Sequence, residues 1–200
     1  MDPYQPFIDD PKHIALLKGQ RYVVLRPTGD VRDVHSQVRA LARDRLAEYD
    51  VSYPACAHVT LAGFRAGTDL DALREVVRNW AATVAPLQLE VERVHHFPSP
   101  FQIVMVQIRR TPELFDALAS LRERARESGF PDLSPIQSAD WTFHMSVAYC
   151  SALNPSTWGD VSGFFESVTV PPAHCTVGDV EIVTFNEGRE EQGGCFDLSA

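Results

Sequence analysis

Two stretches whose histidines lie 86 residues apart carry one pattern, AHVTLAGF at Ala57 to Phe64 and WTFHMSVAY at Trp141 to Tyr149. Each sets a His in an apolar run with a hydroxyl residue two positions later, His58 with Thr60 and His144 with Ser146. Side chains alternate along a β-strand, so each His shares a face with its hydroxyl partner. Two such strands set opposite each other would enclose two imidazoles and two hydroxyls in one small space. A lone His on an apolar strand is more often a satisfied core residue than a reactive one. The doubling separates this pair from that reading.

The surrounding elements also occur twice. Arg21 to Arg26 reads as a strand ended by Pro27 and Gly29, and Val31, Val34, Val38 and Leu41 recur at helical spacing as far as about Glu48. After the first His strand the spacing predicts a helix from about Asp69 to Val84, capped by Thr68. A half-buried strand follows from Leu87 to Phe97, closed by Pro98 and Pro100. The order then begins again at Phe101 to Arg109, with a helix from Thr111, the second His strand, a helix from Pro155 to about Glu166 and a strand from His174 to Phe185. The helix starts Val31 and Thr111 are offset by 80 residues, the histidines by 86 and the closing phenylalanines Phe97 and Phe185 by 88. A slowly growing offset marks two diverged copies, about 21–97 and 101–186, within one domain over 1–200. Neither copy covers its own sheet, so the two are expected to pack around a shared cleft. The Pro-rich residues 1–20 read as a surface arm, NEGREEQGG at Asn186 to Gly194 as a solvated hairpin loop, and Cys195 to Leu198 as a last strand.

Charge narrows the partners. Eighteen Lys and Arg against 27 Asp and Glu leave −9, a surface that repels long polyanions and favours a small anionic ligand over an extended nucleic acid. The N-terminal MDPYQPFIDDPK has acids and prolines where a secretory signal has basic and apolar residues, and no apolar run approaches a membrane span. The expectation is a cytoplasmic monomer without a membrane partner. Cys56, Cys150, Cys175 and Cys195 show no C-x-x-C pair, so thiols are expected in place of disulfides or a zinc knot.

The paired tetrads HVTL at His58 to Leu61 and HMSV at His144 to Val147 resemble the H-x-[ST]-x motifs of the two-histidine phosphoesterase superfamily, which includes bacterial 2'-5' RNA ligase and cyclic phosphodiesterase proteins. The similarity in element order and motif separation runs from about Arg21 to Phe185. The resemblance implies an α+β fold of two lobes, each an antiparallel β-sheet backed by helices, with the His strands facing across a central cleft. It also implies opening of a 2',3'-cyclic phosphate, on a nucleotide, an RNA terminus or ADP-ribose cyclic phosphate, to a 2'-phosphate. Weak 2'-5' RNA ligation would be a reversal of a related step.

The chemistry also follows from the residues. A cyclic phosphodiester is hydrolysed by a base that takes a proton from water and an acid that protonates the leaving ribose oxygen. Two imidazoles that titrate near pH 6.5 supply both roles. Thr60 and Ser146 can donate to the non-bridging oxygens, where charge grows in the transition state. The scheme calls for no metal and no cofactor. Which His starts as the base stays open at this point. Further substrate-binding candidates are Tyr149 and Phe64, whose rings could stack on a base, and Arg26, with Arg65, which could hold phosphate. Core and surface roles compete for each of them. His95 and His96 are adjacent and should point to opposite faces of a strand, so they do not chelate by themselves. A site joining one of them to His58 and His144 lacks a carboxylate or Cys at ligand spacing. His13, His35 and His174 stand in no pattern. The alternative to an enzyme is a module that uses the same cleft to bind a phosphorylated ligand without turnover.

Overall fold

A computed structural model describes residues 11–54, 56–134 and 136–199. Its first elements are α1 (Pro11–Leu17), β1 (Arg21–Leu25), α2 (Gly29–Arg45), β2 (Val59–Phe64), α3 (Leu70–Ala81) and β3 (Leu87–Phe97). The chain continues through β4 (Ile103–Ile108), α4 (Pro112–Glu127), β5 (His144–Tyr149), α5 (Pro155–Glu166), β6 (His174–Val177), β7 (Asp179–Asn186) and β8 (Arg189–Asp197). The strands form two antiparallel sheets, in the orders β2-β1-β7-β8 and β5-β4-β3-β6. The α+β architecture of two helix-backed sheets is the one expected.

The sheets do not coincide with the sequence copies. β3 closes the first copy but pairs with β4, the first strand of the second, whereas β7 from the second copy pairs with β1. Helices cross as well: α2 packs on β3, β5 and β6, and α4 reaches β2. This exchange leaves the two His strands, β2 and β5, each at an edge of its sheet and in contact with each other.

Local sequence explains the helix boundaries. Leu73, Val77, Trp80 and Ala81 bury one face of α3. Its cap is Asp69 and not Thr68: the Asp69 carboxylate accepts from the N–H groups of Asp71 at 3.0 Å and Ala72 at 3.1 Å, while the Thr68 hydroxyl donates to the Arg65 carbonyl. A carboxylate at this place also faces the positive end of the helix dipole. Thr111 caps α4 ahead of Pro112, and Asn154 caps α5 ahead of Pro155. One continuous apolar core joins the inner faces of both sheets to α2 through α5. A second, smaller cluster of Val24, Val183 and Phe185 is flanked by Tyr22, Tyr149 and, from α1, Ile14 and Leu17.

Three expectations are corrected. Residues 11–17 are a helix and not an arm, because Ile14 and Leu17 have an apolar cluster to cover; residues 1–10 lie outside those described. The predicted strand from His174 to Phe185 is two strands in different sheets, divided at Gly178. The polar segment after Asn186 is strand for most of its length, pairing with β7 from Asn186↔Arg189 onward around a turn at Glu187 and Gly188. Among the described residues no helix is long and apolar enough to cross a membrane.

Candidate active site

Both His strands carry a β-bulge directly after the hydroxyl residue. Along β1, Val24 pairs with Thr60 and Val23 with Ala62, which leaves Leu61 unmatched. Along β4, Met105 pairs with Ser146 and Val104 with Ala148, which leaves Val147 unmatched. Leu61 and Val147 are the fourth residues of the two tetrads, and both are fully buried. A bulge adds one residue to a strand and reverses the facing of everything beyond it.

This shift decides the fate of the aromatic candidates. Strict alternation from His58 would bring Phe64 onto the cleft face. The bulge turns Phe64 into the core instead, at 1% exposure, so it has no surface to offer a base. Gly63 takes the place on the Tyr22 side, where an added Cβ would come within 2.8 Å of the Tyr22 ring. On β5 the same shift acts the other way and brings Tyr149 onto the face of Ser146, across from Ile103. Tyr149 is half-buried, hydrogen-bonded to Ser146 and packed beside Val24, Val183 and Phe185 of the other sheet. Burial pushes its phenol up, against the hydrogen bond with Ser146.

The two imidazoles have different partners. His58 Nδ1 lies 3.4 Å from Glu190 Oε1, with 14% of the His side chain and 10% of the Glu side chain exposed. Glu190 Oε2 is in turn held by Arg26 Nη2, and Arg26 Nε reaches Glu181 Oε2 at 3.0 Å. Burial alone would raise the Glu190 carboxyl, but the hydrogen bonds and charges of His58 and Arg26 outweigh it and hold it below the usual carboxylate range. Arg26 itself is raised: burial opposes its charge, and the two carboxylates more than offset that. Arg26 therefore stands behind Glu190 as its counter-ion and is not an open phosphate ligand. Arg65 is exposed on the turn after β2.

Among the described residues no carboxylate lies in the immediate shell of His144. Its Nδ1–H donates to the Thr142 carbonyl at 2.9 Å, and the Phe97 ring meets it edge to face at 4.8 Å. Burial pushes its pKa down to about 4, the Thr142 carbonyl opposing and the charge of His58 adding to the fall. Thr60 and Ser146 are both half-buried. The Thr60 backbone is tied to the opposite strand's approach, since Trp141 Nε1 donates to its carbonyl at 3.3 Å and Arg122 stacks over the Trp141 ring at 4.2 Å.

Two residues join the site that motif reading did not single out. Glu190 sits in a Gly-rich polar run whose composition reads as loop, and only the pairing of β8 with β7 carries it to His58. His35, on α2, is 3% exposed and donates from Nε2 to the Ser146 carbonyl at 2.9 Å. Burial pushes it down to about 4, partly opposed by that carbonyl and furthered by Arg39 and His58. Its only sequence signal is a polar residue on the apolar stripe between Val34 and Val38.

His95 and His96 both turn toward Glu166 at the end of α5, with Nδ1 to Oε1 distances of 3.2 and 3.4 Å. Their rings lie 5.1 Å apart, so the two side chains converge instead of pointing to opposite faces as expected. The carboxylate missing from sequence spacing is supplied from 70 residues away along the chain.

A family model described as the 2'-5' RNA ligase superfamily matches residues 27–189. Solved structures of like fold include Escherichia coli LigT complexed with 3'-AMP, at 17% identity over 91% of this chain and 99% of that one, with a TM-score of 0.62. TT0787 of Thermus thermophilus shows 16% identity over 90% and 97% of the two chains, with a TM-score of 0.63. Usb1 of Kluyveromyces marxianus shows 9% identity over 92% and 100%, with a TM-score of 0.53. LigT has also been crystallised with phosphate, ATP and NADP+. At these identities the likeness is one of fold. Among curated proteins no sequence match was found.

Proposed function

Because this chain belongs to the 2'-5' RNA ligase superfamily, a family of two-histidine phosphoesterases, we propose that it hydrolyses 2',3'-cyclic phosphates to 2'-phosphates through His58 and His144. The carrying observation is the pair of imidazoles on abutting edge strands, each with a different partner on Nδ1. His144 donates Nδ1–H to a backbone carbonyl and is neutral at pH 7, so Nε2 carries a lone pair and acts as the base. His58 presents Nδ1 to the Glu190 carboxylate, and its Nε2–H is the acid.

In the proposed step His144 takes a proton from water as the water oxygen bonds to phosphorus. The bond from phosphorus to O3' breaks, and His58 gives its proton to O3'. The product is a ribose 2'-phosphate, and proton exchange with solvent resets the pair. The Thr60 and Ser146 hydroxyls donate to the non-bridging oxygens as their charge grows. Tyr149, hydrogen-bonded to Ser146 and beside the floor of the site, orients that hydroxyl. The substrate is a small nucleotide or the terminus of an RNA, in keeping with a net charge of −9. With a 5'-hydroxyl in place of water as the nucleophile, the same step breaks the bond from phosphorus to O3' and leaves a 2'-5' phosphodiester, so the same two groups would give weak 2'-5' joining.

The test is turnover of 2',3'-cyclic nucleotides, RNA ends and ADP-ribose cyclic phosphate in excess chelator, with regiochemistry read by ³¹P NMR. The parent should yield 2'-phosphates, and His58→Ala and His144→Ala should each lose about 10²- to 10⁴-fold. Turnover that survives both substitutions, or that the chelator abolishes, defeats the mechanism. Binding without turnover by the parent would favour a recognition module.

A further inference from the structure

The open edge of β3 carries a cluster with no part in the chemistry above. β6 pairs with β3 only from Leu87↔Val177 to Glu90↔His174, so among the described residues the later part of β3 has no strand on that side. Around this edge His95 and His96, neighbours whose rings lie 5.1 Å apart, reach the same oxygen of Glu166. The three ligand atoms lie within 4.8 Å of one another. We infer that His95, His96 and Glu166 form a binding site for a divalent transition metal, zinc by the nature of its donors, that fastens the end of α5 to the edge of β3.

The distances fit that chemistry. Zinc bonds to imidazole nitrogen and carboxylate oxygen at about 2.0–2.1 Å, which puts tetrahedral ligands about 3.3–3.4 Å apart. The two Nδ1 to Oε1 separations, 3.2 and 3.4 Å, match such an edge, and the longer exceeds an ordinary N–H···O bond.

A second observation points the same way. His96 Nδ1 is buried from solvent without a hydrogen-bond partner among the described residues, an atom that costs free energy unless something satisfies it. Its ring is fixed edge-on against Trp158 of α5 at 5.5 Å, so Nδ1 is aimed and not swinging. Glu166 is the last residue of α5, where the helix dipole presents its negative end to a cation. The cation that faces His95 is Arg93, whose Nε is engaged by Gln107. Two nitrogens and one oxygen leave a fourth position on the open side, where 28% of His95 and 48% of Glu166 are exposed, for water or an outside ligand.

The experiment uses the untagged full chain, stripped with chelator and titrated with zinc by calorimetry and with cobalt(II) by absorption spectroscopy. One equivalent should bind, with a tetrahedral cobalt band and a rise in Tm. His96→Gln and Glu166→Gln should each weaken binding at least tenfold and remove the rise in Tm, with Glu166→Gln, at an exposed position, retaining the parental melt in chelator. Cys195→Ala tests the other group of potential ligands, Asp179, Glu181 and Cys195, and should leave binding unchanged. Absence of stoichiometric binding, affinity unaltered in His96→Gln and Glu166→Gln, or loss confined to Cys195→Ala overturns the assignment.

Discussion

Glu190 Oε1 lies 3.4 Å from His58 Nδ1, and the other oxygen of that carboxylate is held by Arg26. A three-residue line from β1 through β8 to the mouth of β2 thus sets the orientation of one imidazole. Glu190→Gln keeps the shape but loses the charge and can turn an N–H toward Nδ1, which favours the wrong tautomer. Turnover of a 2',3'-cyclic nucleotide is expected to fall by about 10²-fold, at the lower end of what a full acid–base role supplies. Steady-state kinetics checks this, and an unchanged kcat would remove Glu190 from the mechanism.

Arg26 separates two roles by kinetics. As the counter-ion of Glu190 and Glu181, it should affect kcat far more than KM, because it acts through Glu190 and His58 and not on the substrate. Arg26→Gln is expected to lower kcat about tenfold or more with KM nearly constant. A rise in KM at constant kcat would restore the phosphate-binding role that the sequence pattern suggests.

Acid should loosen the fold in a defined window. His35 has a folded pKa of about 4, below the 6.5 of the unfolded chain. Between those values the unfolded state binds the extra proton, so stability is complete above pH 6.5 and falls as the pH drops toward 4. For a fully buried group a shift of this size is worth about 3 kcal/mol at the acid end. His144 acts in the same direction, and the depressed Glu190 carboxyl adds its own loss below the usual carboxylate pKa, as pH falls through its folded value. His35→Gln, whose amide can still donate to the Ser146 carbonyl, should show a flatter dependence of the urea midpoint between pH 7 and pH 4.5. A slope equal to the parent's would count against His35 as a source of the acid loss.

The two bulges predict opposite behaviour for two aromatic residues. Phe64→Ala should cost about 3–5 kcal/mol of stability, as a buried ring does on truncation. Phe64→Leu, which keeps most of the volume, should leave KM for a cyclic nucleotide unchanged. Tyr149→Phe should barely move Tm and should lower kcat, since it removes the hydroxyl bonded to Ser146. Thermal melts beside kinetics test both, and a KM that rises in Phe64→Leu would place that ring in the cleft after all.

The pattern of histidines and hydroxyls, the helical spacings of α2 to α5 and the order of elements from β1 to α5 were legible along the chain, because each depends on near neighbours. What the linear pattern could not carry is set by pairing. Nothing local marks Leu61 and Val147 as bulges, so Phe64 and Tyr149 looked alike although they face opposite ways. Glu190 was hidden by the polarity of its own strand, whose partner β7 supplies the apolar side. Strand alternation sets His95 and His96 apart, yet an open edge and a helix end 70 residues later bring their rings within 5.1 Å and their nitrogens to one oxygen. The Thr68 and Asp69 ambiguity is of another kind, two good caps side by side, settled by which one reaches two amides.

The exchange of β3 and β7 between the sheets has a consequence for cooperativity. Severing the chain in the turn between Phe97 and Ile103 would give an N-terminal fragment without a partner for β3 and a C-terminal fragment without one for β7 on its β1 side. Neither piece holds a complete sheet, so independent folding of the halves is topologically blocked. The contacts that close both sheets are long in sequence, which makes folding slow for the chain's size. The proposed pair of His58 and His144 therefore comes together only once the whole chain has interlaced its two halves.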